Sequence, residues 1–246
     1  MGSGLSDRVV VVTGGTRGLG LATARRLRAE GARVVCAARD DTTWDGLRAE
    51  LPDVYLHRVD VTAPESVREL FAAVHDRFGG LDMLVCNAGV ARPGPVSALS
   101  PTAWREVLDV NVTGAFICIQ EAVPYLEKAA RGRIVTISSA LATRVAAGAS
   151  AYSAAKAALE MLTRTCALEL GPRGILVNAV SPGFIDEGMG RDLMANPALW
   201  QRLQAKLVLG RAGNGEEVAG AVAFLAGDDS TYVNGHVLEV NGGLDW

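Results

Sequence analysis

Histidine is scarce in this chain of 246 residues, and the three present, His57, His75 and His236, share no ligand spacing with one another or with cysteine. A histidine-based metal site is therefore not expected, and no metal is assigned. The four cysteines, Cys36, Cys86, Cys118 and Cys166, lie far apart in apolar segments without a CxxC pair, and read as reduced core residues. Charge of one sign is also lacking: the formal net charge is -3, which argues against the broad basic surface a nucleic acid requires. No uninterrupted apolar run reaches the ~20 residues of a membrane span, and the start MGSGLSDR has no apolar signal region, so a cytoplasmic location away from membranes is expected. Proline is limited to nine residues and the 28 glycines fall in particular turns, leaving no low-complexity linker. With 49% hydrophobic residues, one α/β domain over 1–246 is the expected organisation.

Strand-like apolar runs occur at Arg8–Val12, Arg33–Ala37, Val54–Val59, Leu81–Cys86, Arg133–Ser138, Ile175–Ser181 and Val237–Val240. Helical periodicity marks Leu19–Ala29, Pro64–Phe78, Pro101–Leu126, Ala151–Leu170 and Glu216–Leu225. This β-α alternation predicts a Rossmann-type, doubly wound parallel sheet of about seven strands with helices on both faces. Strands such as VVVVT and RIVTIS are apolar without strict alternation, as expected when both sheet faces are covered. The stretch Ile185–Leu209 departs from the alternation as an irregular insertion bearing Met and Leu, and is expected to form a substrate lid.

The first strand runs into Thr13-Gly14-Gly15-Thr16-Arg17-Gly18-Leu19-Gly20 and then a helix. Gly14, Gly18 and Gly20 give a GxxxGxG spacing in place of GxGxxG; such a turn lets the backbone approach a pyrophosphate at the positive end of the helix. At the end of the second strand Ala38 stands where an acidic ribose ligand is usual, followed by Arg39 and Asp40, and Arg17 sits in the glycine turn. Arginine there accommodates a 2′-phosphate, so NADPH is expected over NADH; Asp40 becomes the ribose acid if the alignment shifts by one residue. Asp60-Val61 and Asn87-Ala88-Gly89 end the third and fourth strands, and either reads as a cofactor contact or as a turn or cap.

Tyr152 and Lys156 are four apart in a helical pattern and share one face, and Ser139 lies at the carboxyl end of the preceding strand. Carbonyl reduction develops negative charge on oxygen and needs a donor and a proton source there. Tyr152 supplies both, provided that the Lys156 ammonium lowers a phenol pKa ordinarily near about 10. Ser139 is placed to hold the same oxygen, and Asn111 to anchor a water leading to Lys156. Taken alone, the Tyr-Lys pair reads equally as an aromatic and a snorkelling lysine on a surface helix.

Together, TGGTRGLG, NAG, Asn111, Ser139, YSAAK (Tyr152–Lys156) and SPG (Ser181–Gly183) resemble the short-chain dehydrogenase/reductase family over nearly the whole chain, from Val9 to Gly243. The resemblance is greatest to its 3-oxoacyl thioester reductase-like members. It implies a catalytic tetrad of Asn111, Ser139, Tyr152 and Lys156, with Lys156 also on the nicotinamide ribose. Gly14, Thr16, Arg17, Gly18, Leu19, Gly20, Arg39, Asp60, Val61, Asn87, Ala88, Gly89, Tyr152, Lys156, Pro182, Gly183 and Ile185 are the implied cofactor contacts, and a homotetramer is the implied assembly. Glu187 stands where the family often carries a Thr that holds the nicotinamide carboxamide, and is expected to turn to solvent.

The implied activity is NADPH-dependent reduction of a ketone, or oxidation of the alcohol, on a small molecule of 3-oxoacyl thioester or polyketide type. Alternatives on the same fold are a non-redox lyase or dehydratase, or a cofactor-binding sensor; a sensor would be expected to lack the Tyr or the Lys, and both are present. A carrier-linked substrate would need a basic rim, for which Arg131, Arg144 and Arg173 are candidates, and the three read equally as scattered surface arginines. Arg92, Pro93, Leu141, Thr143, Val145 and the lid residues Met189, Leu193, Met194, Leu199 and Trp200 read equally as a substrate wall and as plain lid packing or subunit interface.

Overall fold

The apolar, β-branched runs form seven strands: β1 (Val9–Thr13), β2 (Arg33–Ala38), β3 (Tyr55–Arg58), β4 (Met83–Cys86), β5 (Gly132–Ile137), β6 (Ile175–Pro182) and β7 (Val237–Val240). They lie in one sheet, every neighbouring pair parallel, in the order β3-β2-β1-β4-β5-β6-β7. The computed structural model describes residues 4–244. After β3 the chain returns from the sheet edge to set β4 beside β1, so winding reverses there and the carboxyl ends of β1 and β4 border a crevice.

Helices α1 (Gly18–Ala29), α2 (Trp44–Glu50), α3 (Pro64–Phe78), α4 (Pro101–Leu108), α5 (Gly114–Leu126), α6 (Ser150–Leu170), α7 (Met189–Met194), α8 (Pro197–Gln204) and α9 (Gly215–Ala226) connect them. Because side chains alternate along a strand, VVVV feeds two cores at once. Val9 and Val11 pack with Leu70 and Phe71 of α3, Ala122 of α5 and Leu159 of α6. Val10 and Val12 pack on the other face with Leu27 of α1 and Val218 and Val222 of α9. Removing water from both faces of the sheet, at about 25 cal/mol per Å² of apolar surface, is the main force holding these layers.

Local chemistry sets several element ends. Pro64 stands at the first turn of α3 and Gly79 follows its last residue. The Ser100 hydroxyl caps α4 by accepting from Ala103 N–H, and Asn214 and Glu217 form a reciprocal capping box at α9.

Strand positions agree with the sequence reading to within two residues. Three features differ. The seven-residue α2 was not expected; the stretch expected to be irregular holds α7 and α8; and the helical run 101–126 contains a π-helical turn, Asp109–Thr113, between α4 and α5. That run of 26 residues is also long and apolar enough to cross a membrane, with a mean hydropathy of 1.2 over its most apolar window. Here 56% of that window is buried inside the protein, where Cys118, Ala122 and Leu126 enter the core.

Candidate active site

Thr13, the last residue of β1, ties the crevice together. Its hydroxyl donates to Val85 C=O (3.3 Å) and accepts from the N–H groups of Asn87 (3.0 Å) and Ala88 (3.1 Å). The Asn87 side-chain amide returns to Thr13 C=O (2.9 Å) and Gly14 C=O (3.2 Å). Gly14 has φ +65°, a left-handed conformation that glycine adopts without cost. A Cβ on Gly20 would lie 2.2 Å from the Gly14 oxygen and 2.5 Å from Asn87 Nδ2, so the start of α1 can approach the turn only as glycine. Arg17 precedes α1 without a side-chain cap, leaving the first helical N–H groups unclaimed by it. This backbone cradle at a helix amino end suits a diphosphate.

The cradle opens into a cleft of about 680 Å³ along the carboxyl ends of the strands. Every expected cofactor contact lines it: Gly14, Thr16, Arg17, Gly18, Leu19, Gly20, Arg39, Asp60, Val61, Asn87, Ala88, Gly89, Tyr152, Lys156, Pro182, Gly183 and Ile185. At one end Arg39 and Asp40 follow β2. Asp40 is turned to its own loop, accepting from Thr42 N–H (2.8 Å). Bonds from Thr42, aided by Arg17 and Arg58, hold its carboxyl below the usual range. Asp60 accepts from the N–H (3.0 Å) and hydroxyl (2.7 Å) of Thr62. Burial pushes the Asp60 carboxyl up, but these bonds and the Arg39 charge outweigh it, and the group stays below its ordinary value.

At the other end stand Ser139, Tyr152 and Lys156. Three polar ties join β5 to α6 and fix their relative position. Thr136 bonds to Thr163 (2.7 Å), Ser138 donates to the Glu160 carboxylate (2.8 Å), and Lys156 Nζ donates to Ile137 C=O (2.7 Å). Ser138 and Glu160 were not singled out from the sequence, although Glu160 lies one helical turn beyond Lys156 on the same face. Ser139 begins the short turn Ala140–Ala142, its oxygen accepting from Leu141 N–H (3.2 Å), and its side chain also bonds to that of Tyr152.

The electrostatics differ from the sequence expectation. Lys156 is buried at 4% exposure, and burial pulls its ammonium down from 10.5 to about 8, with a small opposing effect from Cys86. Its Nζ lies 5.5 Å from the Tyr152 ring centroid, over the ring. The Tyr152 phenol is pushed above 10 by burial, with the Ser139 bond pulling it partly back. The lysine is thus aimed at a backbone carbonyl and the ring face, and the tyrosine is held in its protonated, proton-donating form.

Asn111 also departs from expectation. Buried in the π-helical turn at 1% exposure, its side chain donates to Val90 C=O (2.9 Å) and accepts from Val90 N–H (2.8 Å). Both ends of the amide therefore hold the strand-end loop after β4, and the side chain does not line the cleft. A β-branched-rich helical run gives no sequence signal for that tertiary partner, 21 residues away.

Glu187 does not turn freely to solvent. Its side chain is 28% exposed, borders the cleft and pairs with Arg191 (3.4 Å), which also binds Asp186 (3.0 Å). Of the three expected rim arginines, Arg131 and Arg173 precede the amino ends of β5 and β6, at the opposite edge of the sheet from the cleft. They pair with Asp228 and Glu127. Arg144 is on the cleft's side of β5 and pairs with Glu239 (3.0 Å). Trp200 packs edge-on against Phe184 (6.1 Å) in a cluster with Ala140, Leu207 and Leu244, whereas Val145, Met189, Leu193 and Leu199 are exposed. Among the described residues no group of three or more His, Cys, Asp or Glu side chains is arranged to hold a metal.

Comparison with known proteins accords with this geometry. Residues 14–245 match the family described as enoyl-(acyl carrier protein) reductase. The chain is 40% identical to cis-4-hydroxycyclohexanecarboxylate dehydrogenase of Sinomonas cyclohexanicum, over 99% of this chain and 98% of that protein. It is 37% identical to the 3-oxoacyl-[acyl-carrier-protein] reductase FabG of Aquifex aeolicus, over 98% of each. Among solved structures, the RhlG/NADP active-site complex of Pseudomonas aeruginosa superposes with a TM-score of 0.93 at 32% identity, covering 98% of both chains.

Proposed function

Since the chain belongs to the short-chain dehydrogenase/reductase family and is an NAD(P)-dependent oxidoreductase acting on CH–OH groups, we propose that it is an NADPH-dependent ketone reductase and alcohol dehydrogenase with Tyr152 as the proton donor. The convergence of Ser139, Tyr152 and Lys156 at one end of a cleft whose other parts suit a dinucleotide carries this reading.

The glycine turn and the start of α1 would hold the diphosphate, Asp60 and Val61 the adenine, and Lys156 the nicotinamide ribose, with Pro182, Gly183 and Ile185 beside the ring. Arg17 and Arg39 both line the cleft, while Asp40 is engaged by its own loop, which favours the 2′-phosphorylated cofactor. When bound, the nicotinamide supplies the hydride that interconverts carbonyl and alcohol. Ser139 holds the substrate oxygen, and Tyr152 gives its phenolic proton to that oxygen as charge develops there. The Lys156 ammonium next to the ring stabilises the phenolate that remains. Asn111 acts as a positioning residue, fixing the Val90 backbone at the cleft wall.

The substrate is a small ketone or alcohol of 3-oxoacyl thioester or polyketide type, and the FabG relatives support a carrier-linked form. The exposed side chains of Val145, Met189, Leu193 and Leu199 support an apolar mouth covered by a lid over residues 185–209 of one domain. Exposed Phe116 on α5 and Met161 and Leu168 on α6 support a homotetramer, and four free, buried cysteines support a cytoplasmic setting.

The test is NADPH consumption measured across 3-oxoacyl thioesters, cyclic ketones and keto sugars. The unaltered protein turns over at least one class. Tyr152→Phe loses about a hundredfold or more in kcat while still binding NADPH. Turnover retained by Tyr152→Phe refutes the assigned donor.

A further inference from the structure

Most arginines in this protein are held by carboxylates, as Arg25 is by Glu50 and Arg211 by Glu217. Besides Arg202 on α8, the side chains of Arg17, Arg39, Arg58 and Arg105 make no hydrogen bond, ion pair or ring contact among the described residues. Three of these belong to the same end of the cleft: Arg17 and Arg39 line it, and Arg58, with Arg17, bears on Asp40. The fourth, Arg105, comes from α4, far away in sequence.

A second hollow of about 620 Å³ explains the fourth. It adjoins the cofactor cleft, sharing Arg39 and Val110 with it. Thr62 lies on its wall, and the rest is one side of the helical run: Thr102, the adjacent Arg105 and Glu106, Asp109 and Thr113, on successive turns of the helix. Glu106 is bound by Arg92 through two hydrogen bonds, so its charge is already matched. Arg39, whose charge bears on Asp60, and Arg105 are left as two guanidiniums with no carboxylate bonded to them in one hollow, which Asp109 and three threonines also line.

Each guanidinium is a planar fork of N–H donors that matches phosphate oxygens in pairs. A phosphomonoester, a dianion with three terminal oxygens, can engage two such forks at once; a single carboxylate has two oxygens and one charge. We propose that this hollow is a phosphomonoester site in which Arg105 is a second specificity residue, reading the cofactor's 2′-phosphate together with Arg39. The inference rests on the NADPH preference proposed above and adds to it a residue from outside the dinucleotide-binding loops. Inorganic phosphate has the same chemistry, and the experiment separates the two sources.

Binding of NADP+, NAD+, 2′,5′-ADP, 5′-ADP and inorganic phosphate is measured by titration calorimetry on the full chain, on Arg39→Gln and on Arg105→Gln. Both substitutions are at exposed positions, and equal melting temperatures check that the fold is kept. Arg105→Gln should weaken NADP+ and 2′,5′-ADP by about five- to tenfold, the effect of losing one charge-assisted contact at a partly screened site. NAD+ and 5′-ADP should stay within about twofold. An unchanged ratio of NADP+ to NAD+ affinity in Arg105→Gln, with the ratio lost in Arg39→Gln, overturns the inference and leaves the NADPH preference standing. A wild-type preference for NAD+ overturns both. Inorganic phosphate binding that needs Arg105 but does not compete with 2′,5′-ADP assigns the hollow to the free ion and overturns the cofactor assignment.

Discussion

Replacement of Lys156 by methionine should abolish turnover and at the same time make the protein without cofactor more stable. The ammonium is buried with its pKa drawn from 10.5 to about 8, and at 1.36 kcal/mol per pH unit this depression corresponds to an unfavourable contribution of about 3 kcal/mol. Methionine has nearly the same length and carries no charge. It also removes the bond from Nζ to Ile137 C=O, a loss of about 1–2 kcal/mol, so a net gain of about 1–2 kcal/mol remains. The folded pKa lies below the unfolded one, so the unfolded chain binds the extra proton between the two values. Below about pH 8 both states are protonated and the penalty is present in full; as pH rises from about 8 to 10.5 it fades. Urea unfolding of wild type and Lys156→Met at a series of pH values should therefore give a stability difference that is flat from pH 6 to about 8 and moves by about 3 kcal/mol in favour of the wild type by pH 10.5. A difference that does not vary with pH, or a variant less stable at pH 7 by more than the lost hydrogen bond, would refute the burial penalty.

Two further substitutions probe the scaffold around the cleft. Gly20→Ala places a methyl 2.2 Å from the Gly14 oxygen and should cost about 1–3 kcal/mol in stability; fluorescence titration should show NADPH binding weakened more than tenfold, and binding within twofold of wild type would contradict the close approach of α1. Asn111→Ala removes both partners of the Val90 backbone and should cost about 2–5 kcal/mol, read as a fall in Tm of about 5–15 °C; an unchanged Tm would show that the amide does not hold that loop.

Elements with chemical punctuation at their ends were legible in the sequence. Pro64 and Gly79 bracket α3, and its limits coincide with those read from periodicity. The short α2 was not legible because Leu47 alone among its seven residues is buried, and α8 buries none, so neither shows an apolar stripe. The candidate site was legible where it depends on spacing along one element, as with Tyr152 and Lys156. It was illegible where it depends on tertiary partners: the Val90 backbone that occupies Asn111, the Ile137 carbonyl that occupies Lys156, and the burial that raises the Tyr152 phenol. The misplacement of Arg131 and Arg173 has a simple geometric cause. Both flank strands whose far ends carry the chemistry, and six or more residues at about 3.3 Å each separate the two edges of the sheet.

The wide turn at Asp109–Thr113 constrains how this chain can tolerate insertions and deletions. A π-helical turn holds one residue more than an α-helical turn would, absorbing it without breaking the helix on either side. Deleting a single residue there would restore regular winding with α4 and α5 left nearly in phase, so both helices would keep their packing while the wide turn itself was lost. The cost would fall on Asn111, whose hold on both the N–H and the C=O of Val90 depends on its place within that turn. The extra residue is therefore a local device of the cleft wall, which a shortened chain would lose without disturbing the helices on either side.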